Sequence, residues 1–146
     1  MTNCVTVPEI ETLLIANHAE SHDGLLHLVG AGWSTANQVS VNGQVPPLHF
    51  GIGLTVLVGW NETNERHRVL IYVEPEDGGQ PLIRLEAELE MGRPPGVTAG
   101  TAQRAVLAFS GEAMFPEPGG FRLVAELGDH TRFVSFRINH EPAQTN

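Results

Sequence analysis

The chain has 146 residues, a length typical of a single domain that buries a sizeable core. All of its eight basic residues are arginine, so lysine-dependent mechanisms and a phosphate-binding loop of the Walker type are excluded. Seventeen acidic residues give a formal net charge of −9, which repels phosphate backbones and anionic lipid. We therefore expect neither nucleic acid nor a membrane as a partner.

The ends of the sequence carry few signals. Cys4 is the single cysteine, which indicates no disulfide framework, and no basic region followed by an apolar stretch marks a secretion signal. We therefore expect a cytoplasmic protein. Residues 1–146 are predicted to form one domain, with flexible termini at 1–9 and 140–146.

Two apolar segments near the N-terminus flank a strong turn signal. They cover Leu13–Ala19 and Leu25–Trp33, and Asp23-Gly24 between them favours a two-residue hairpin turn. We predict that the chain begins with this hairpin.

The segment from Leu48 to Trp60 has a large apolar residue at every second position, which is the period of a β-strand. Its opposite face carries glycines, among them Gly51 and Gly53. Because glycine weakens a strand, a bulky side chain or another backbone is expected to lie close over this face. Trp33 is the candidate cover.

Alternating segments continue through the second half of the chain. Residues 83–91 are ambiguous, because their Glu, Leu, Ala and Met also favour a helix. We predict a strand, since nine consecutive positions alternate, with Glu86, Glu88 and Glu90 on a solvated face. Further strands are predicted near 69–74, 104–109, 121–127 and 134–138.

About eight strands with turn-rich connections cannot all bury one face in a single sheet. We predict an all-β fold, an antiparallel two-sheet β-sandwich of about eight strands with Greek-key or immunoglobulin-like topology. The predicted core residues are Phe50, Ile52, Leu54, Ile71, Leu85, Leu123 and Phe136.

Turn and strand motifs along most of the chain carry a family resemblance. They are Ala16, Ala19-Glu20, Asp23-Gly24, Gly30 to Trp33, Asn64 to His67, Asp77-Gly78, Pro94 to Gly96, Pro118-Gly119, Phe121 and Phe136 to Ile138. This combination resembles a family of short bacterial proteins, mostly actinobacterial, whose function is unknown. The resemblance implies a single-domain antiparallel β-sandwich and supplies no activity, cofactor or catalytic residue.

One group of residues has the spacing of a metal site. His18, Glu20 and His22 recur at the strand period, so all three emerge on one face if the strand reaches residue 22. His27 is placed to join them across the hairpin, and two imidazoles with a carboxylate suit zinc or a similar divalent ion. An ordinary polar hairpin surface is the competing interpretation and the one we prefer, so no cofactor is expected.

Aromatic and apolar residues beside loops suggest a contact surface. Trp60 completes an apolar row and is assigned to the edge of the core, and Trp33 is expected to pack on the core. Met114 and Phe115 form an apolar loop tip, which we predict to be an interface together with the Pro95 loop. The alternative is that Phe115 folds back over the end of the core.

No nucleophile has a recognisable catalytic setting, and the three aspartates all fall in turn signals. We therefore predict a non-enzymatic β-sandwich interaction module that binds an unknown protein partner or self-associates. The alternatives are a metal-dependent protein or enzyme using the histidine group, and a subunit of a larger assembly.

Overall fold

The computed structural model describes residues 8–143, and in this range it consists of ten β-strands and one short 3-10 helix. The all-β prediction is confirmed. The elements in chain order are β1 (Glu9–Ala16), β2 (His18–His22), β3 (Leu25–Val29), β4 (Thr35–Ser40), β5 (Leu48–Val58), the 3-10 helix (Trp60–Glu62), β6 (Arg66–Pro75), β7 (Ile83–Glu90), β8 (Gln103–Ala113), β9 (Gly119–Leu127) and β10 (His130–Pro142).

The strands form three sheets. One has the order β1-β5-β8, a second has the order β4-β10-β9-β6-β7, and β2 and β3 form a separate hairpin. All neighbouring strands are antiparallel except β4 and β10, which run parallel with Thr35 opposite Arg137. The expectation of purely antiparallel sheets is therefore wrong for this pair. Parallel pairing needs a long connection, which strands near opposite ends of the chain provide.

The count of ten strands, instead of eight, has two local causes. The predicted strand Leu13–Ala19 divides at Asn17, because β1 stays paired with β5 only as far as Ala16 and the chain then leaves that sheet. The Asn17 amide donates instead to the Val29 carbonyl at 2.9 Å. The second cause is β4, a strand of mostly polar residues in which Gln38 is buried and donates its amide to the Pro46 carbonyl.

The ambiguous segment is a strand, as predicted. β7 pairs with β6 along its whole length, from Ile83 opposite Val73 to Glu90 opposite Arg66. Its three glutamates, 86, 88 and 90, are exposed, and salt bridges join Arg84 to Glu86 and Arg66 to Glu90. The solvated face expected for this strand is therefore present.

The two larger sheets both contribute side chains to one hydrophobic core cluster. Leu85 is only half-buried, because β7 is the edge strand of its sheet. The other six predicted core residues are buried: Phe50, Ile52, Leu54, Ile71, Leu123 and Phe136.

The hairpin of β2 and β3 covers the glycine face of β5, so the predicted close approach is confirmed. A Cβ at Gly51 would lie 2.9 Å from the Ala19 Cβ, and one at Gly53 would lie 2.7 Å from a Leu28 methyl carbon. The proposed cover, Trp33, is wrong: its ring packs edge-on against Phe136 at a centroid distance of 5.7 Å. A folded-over hairpin supplies a backbone, which approaches more closely than an indole ring can.

Strands extend into both of the termini that were predicted to be flexible. β1 already begins at Glu9, and β10 continues to Pro142 because its last residues pair with β4, where Pro142 lies opposite Ser40. Residues 1–7 and 144–146 of the predicted termini lie outside the described residues.

Candidate functional site

The hairpin places four of the candidate residues on one exposed face. Asp23 and Gly24 both have positive φ, at 52° and 72°, which is the geometry of a tight type I′ turn. The turn leaves Glu20 opposite His27, while His18 and His22 flank Glu20 along β2. Since β2 extends to His22, the residues predicted to share a face do so.

The side chains of this face form a connected row. Glu20 lies at its centre, with His18 Nε2 at 2.8 Å from Oε1 and His22 Nε2 at 2.6 Å from Oε2. The His22 ring meets the His27 ring edge-on at a centroid distance of 5.5 Å. Beyond His18, the ring of His49 from β5 stacks at 5.7 Å, with its Nε2 at 3.4 Å from His18 Nδ1. We call these five residues the histidine row.

His49 is the member that the sequence did not indicate. It is 31 positions away from His18, and the glycine face of its strand was assigned to Trp33 and not to the hairpin. Only the folding of the hairpin over Gly51 brings the first residue of β2 next to the beginning of β5. The sequence carried one signal for His49. It lies two and four positions before Gly51 and Gly53, so it shares their face of the strand.

The electrostatics of the row centre on its single carboxylate. Hydrogen bonds from His18 and His22, in that order, hold the pKa of the Glu20 carboxyl at about 2, below its ordinary value of 4.5. An ionised carboxylate only accepts hydrogen bonds, so both histidines carry a proton on Nε2. In a neutral ring with its proton on Nε2, His18 Nδ1 is an acceptor, and His49 Nε2–H then donates a hydrogen bond to it.

The row does not hold its donor atoms in a metal-binding arrangement. Among residues 8–143, no three His, Cys, Asp or Glu side chains are grouped so that they could hold an ion. The reason is that each oxygen of Glu20 is directed at a different imidazole, so the histidines lie on opposite sides of it. In this state the row is a hydrogen-bonded polar surface.

The expected loop interface is altered by the structure. Phe115 is 1% exposed and packs against Phe121 and Phe136 with centroid distances of 5.1 and 6.0 Å. The alternative, in which Phe115 folds back over the core, is therefore correct. Met114 beside it is 51% exposed, and an interface that includes Met114 stays a prediction.

The Pro95 loop is not a neighbour of Met114, which corrects the second part of that expectation. The loop precedes Gln103, the first residue of β8, whereas Met114 follows the last residue, Ala113. Eleven residues of extended chain separate the two ends, a span of about 35 Å at about 3.3 Å per residue. A single small contact surface does not include both.

A further site, which the sequence did not indicate, is an apolar cleft of about 390 Å³ between β7 and β8. We call it the β7–β8 cleft. Within the described chain, β7 is paired in a sheet only with β6 and β8 only with β5, so each strand has one edge with no strand paired to it. The cleft is lined by Phe50, Ile52, Ile83, Leu85, Ala108, Phe109, Ser110, Gly111 and Glu112.

The cleft reaches the core because the two large sheets are not closed at this side. Phe109 and Leu85 are both half-buried, and behind them the buried Phe50 and Ile52 form the floor. Sequence alternation assigns each of these side chains to an inner face, but it carries no information on which strands end up at the edges. The cleft was therefore not predictable from periodicity.

No helix in the range 8–143 has the length and apolar character needed to cross a membrane.

Comparison with known proteins places the chain in a family. None of the curated proteins matches the sequence. A family model described as a family of unknown function, DUF6941, matches residues 11–139, from β1 to β10, and so includes the histidine row and both edges of the β7–β8 cleft. The chain belongs to the DUF6941 family of unknown function.

Proposed function

We propose that the protein is a non-enzymatic β-sandwich module that binds an extended apolar segment of a partner protein in the β7–β8 cleft. The observation that carries the proposal is the cleft itself, which gives access to the core between two unpaired strand edges. The sandwich description is supported by the two large sheets that share one hydrophobic cluster. A cytoplasmic location, expected from the sequence, is part of the same proposal.

An extended peptide fits both properties of this site. Unpaired edges offer backbone N–H and C=O groups to an added strand, and an apolar hollow accepts one of its alternate side chains. The concave shape and the apolar lining resemble those of binding sites in general. Glu112 at the cleft and the exposed glutamates of β7 favour a partner segment that carries arginine or lysine beside its apolar residues.

A second concavity, of about 460 Å³, is less suited to this role. It lies at the end of the strands beside Pro116 to Pro118, and its lining includes Glu76, Asp77 and Glu117. Prolines lack the backbone N–H groups that an added strand would use, and burying the three carboxylates under an apolar segment is costly. We therefore assign the binding role to the β7–β8 cleft.

The proposal is tested with peptides selected from a displayed random library on the wild-type protein. The selected peptides should share a sequence in which apolar and basic residues alternate. Their binding should shift the NMR amide resonances of β7 and β8. Leu85→Gln should weaken binding at least tenfold, because it places an amide in the apolar hollow. Val29→Gln, on an exposed hairpin residue outside the cleft, is the matched control.

Two results would contradict the proposal: peptides that shift only other surfaces, or binding that Leu85→Gln leaves unchanged. Glu112→Arg serves as a second variant if Leu85→Gln unfolds, and it should disfavour basic peptides. The size of the purified protein in solution is measured in parallel. A wild-type dimer that Leu85→Gln dissociates would assign the cleft to self-association.

A further inference from the structure

The hairpin face carries a second candidate site, separate from the cleft. We propose that Glu20, His22 and His27 bind one zinc-type divalent ion, with His18 and His49 as the residues that hold the carboxylate ligand in place. Two imidazoles and a carboxylate form a ligand set suited to zinc and neighbouring transition metals, and unsuited to calcium or magnesium. This inference does not depend on the proposed binding of a peptide.

The register of the hairpin brings these three ligands together. Glu20 lies directly opposite His27, and His22 is the next residue of β2 on the same face. Opposed residues of an antiparallel pair have Cβ atoms about 4.5–5.5 Å apart, within reach of one ion. The tight turn at Asp23-Gly24 fixes this register, so the three positions are held by backbone.

Two of the three proposed ligands are in contact, and the ring of the third lies beside them. Bonds of about 2.0–2.1 Å at tetrahedral angles place the centroids of two bound imidazoles about 5 Å apart. The rings of His22 and His27 are 5.5 Å apart at an interplanar angle of 65°. Glu20 Oε2 and His22 Nε2 are joined by a hydrogen bond of 2.6 Å. Bound to one ion, these two atoms would stand about 3.3 Å apart, so the pair must open by less than about 1 Å as the ion replaces the proton.

The remaining two histidines have the positions of outer residues around a metal ligand. His18 Nε2 holds Glu20 Oε1 at 2.8 Å, which leaves Oε2 for the ion, and His49 contacts the other nitrogen of His18. Carboxylates that bind metals are commonly fixed by such hydrogen bonds, and losing them weakens metal affinity 10- to 100-fold. The order of contacts along the row thus assigns a role to every member.

Binding requires only local changes at exposed side chains. His22 must move its ring proton from Nε2 to Nδ1, and His27 must turn a nitrogen towards Glu20. The side chains of His22 and Glu20 are 62% and 50% exposed, so no packed group opposes these rotations. The described structure shows the hydrogen-bonded state of the row, in which these donors do not converge.

The test uses the full chain without a histidine tag, titrated with zinc in a calorimeter and with cobalt in a visible spectrometer. We expect one ion per chain and a cobalt spectrum typical of four- or five-coordinate nitrogen and oxygen ligation. Glu20→Gln and His27→Ala should each abolish saturable binding, and His18→Ala should weaken it 10- to 100-fold. Glu88→Gln, an exposed glutamate in β7, and His140→Ala are controls that should leave binding unchanged.

Either of two results would overturn the inference. The first is a wild-type protein with no saturable zinc or cobalt binding. The second is binding that survives both Glu20→Gln and His27→Ala, which would reflect non-specific capture by the remaining histidines. Circular dichroism of each variant establishes that the hairpin variants remain folded, so that a lost signal reports the site.

Discussion

Gly51 of β5 lies directly beneath the backbone of Ala19 in β2. A Cβ at Gly51 would stand 2.9 Å from the Ala19 Cβ and would overlap the main chain of His18 and Ala19. Ser110 of β8 fixes the same point, because its hydroxyl donates to the Ala19 carbonyl at 2.7 Å and accepts from the Ala19 amide at 2.9 Å. The hairpin is therefore docked by a backbone contact that only glycine permits.

Gly51→Ala should displace the hairpin and lower the free energy of unfolding by about 1–3 kcal/mol, the usual cost of overpacking. Chemical denaturation measures the change. Gly111→Ala is the matched control, because a Cβ there meets nothing within 4 Å. It should be neutral or stabilising by up to about 1 kcal/mol. Equal effects of the two substitutions would contradict the docking account.

Phe115→Ala should cost about 3–5 kcal/mol, because it removes a ring that is 1% exposed and contacts three other phenylalanines, Phe50, Phe121 and Phe136. Met114→Ala, on the exposed neighbour, should change the unfolding free energy by less than about 0.5 kcal/mol. Thermal and urea unfolding of the two variants provide the measurement. A large loss for Met114→Ala would show that this side chain also belongs to the core.

How far the sequence predicted the fold depended on the kind of signal. Period-two alternation identified β5 through β10, since inward and outward positions differ in polarity along these strands. It missed β4, where the buried position is occupied by the amide of Gln38. It also merged β1 with β2, because the break at Asn17 comes from pairing with β3, a long-range contact that periodicity does not encode.

The candidate site was predictable only in its local part. The spacing of His18, Glu20 and His22 places them on one face, and the Asp23-Gly24 turn sets His27 opposite. His49 required the packing of the hairpin on β5, and the β7–β8 cleft required the order of strands in both sheets. Such arrangements follow from tertiary structure, to which a single sequence gives no direct access.

Arg93 links the connection after β7 to the 3-10 helix. Its guanidinium carbon lies 3.9 Å from the centroid of the Trp60 ring, Nη2 donates to the Trp60 carbonyl and Nε donates to Thr63 Oγ1. Arg93→Gln should lower stability by about 1 kcal/mol and alter the fluorescence of Trp60. Arg132→Gln, an exposed arginine in β10, should do neither. An unchanged emission spectrum in Arg93→Gln would contradict this contact.

The carboxyl group of Glu11, which lies outside the histidine row, also has a lowered pKa. The register of β1 against β5 shifts between Ile10 and Thr12, so Glu11 occupies a bulge and its side chain turns along the sheet surface. Arg104 of β8 donates from both Nε and Nη2, and Thr55 of β5 donates its hydroxyl at 3.0 Å. These bonds, that of Arg104 first, hold the pKa of the Glu11 carboxyl below 4.5.

Because the pKa is lower in the folded than in the unfolded chain, the ionised form of Glu11 stabilises the fold. This contribution should be fully present above the unfolded value of 4.5 and should be lost as the pH falls through the folded value. Titration of the Glu11 carboxyl by NMR should give a midpoint below 4.5, and Arg104→Gln should raise it. Arg84→Gln, whose guanidinium pairs with Glu86, should leave it unchanged. A wild-type midpoint at the ordinary value, or one insensitive to Arg104→Gln, would show that this ion pair does not persist in solution, where salt screening weakens exposed pairs.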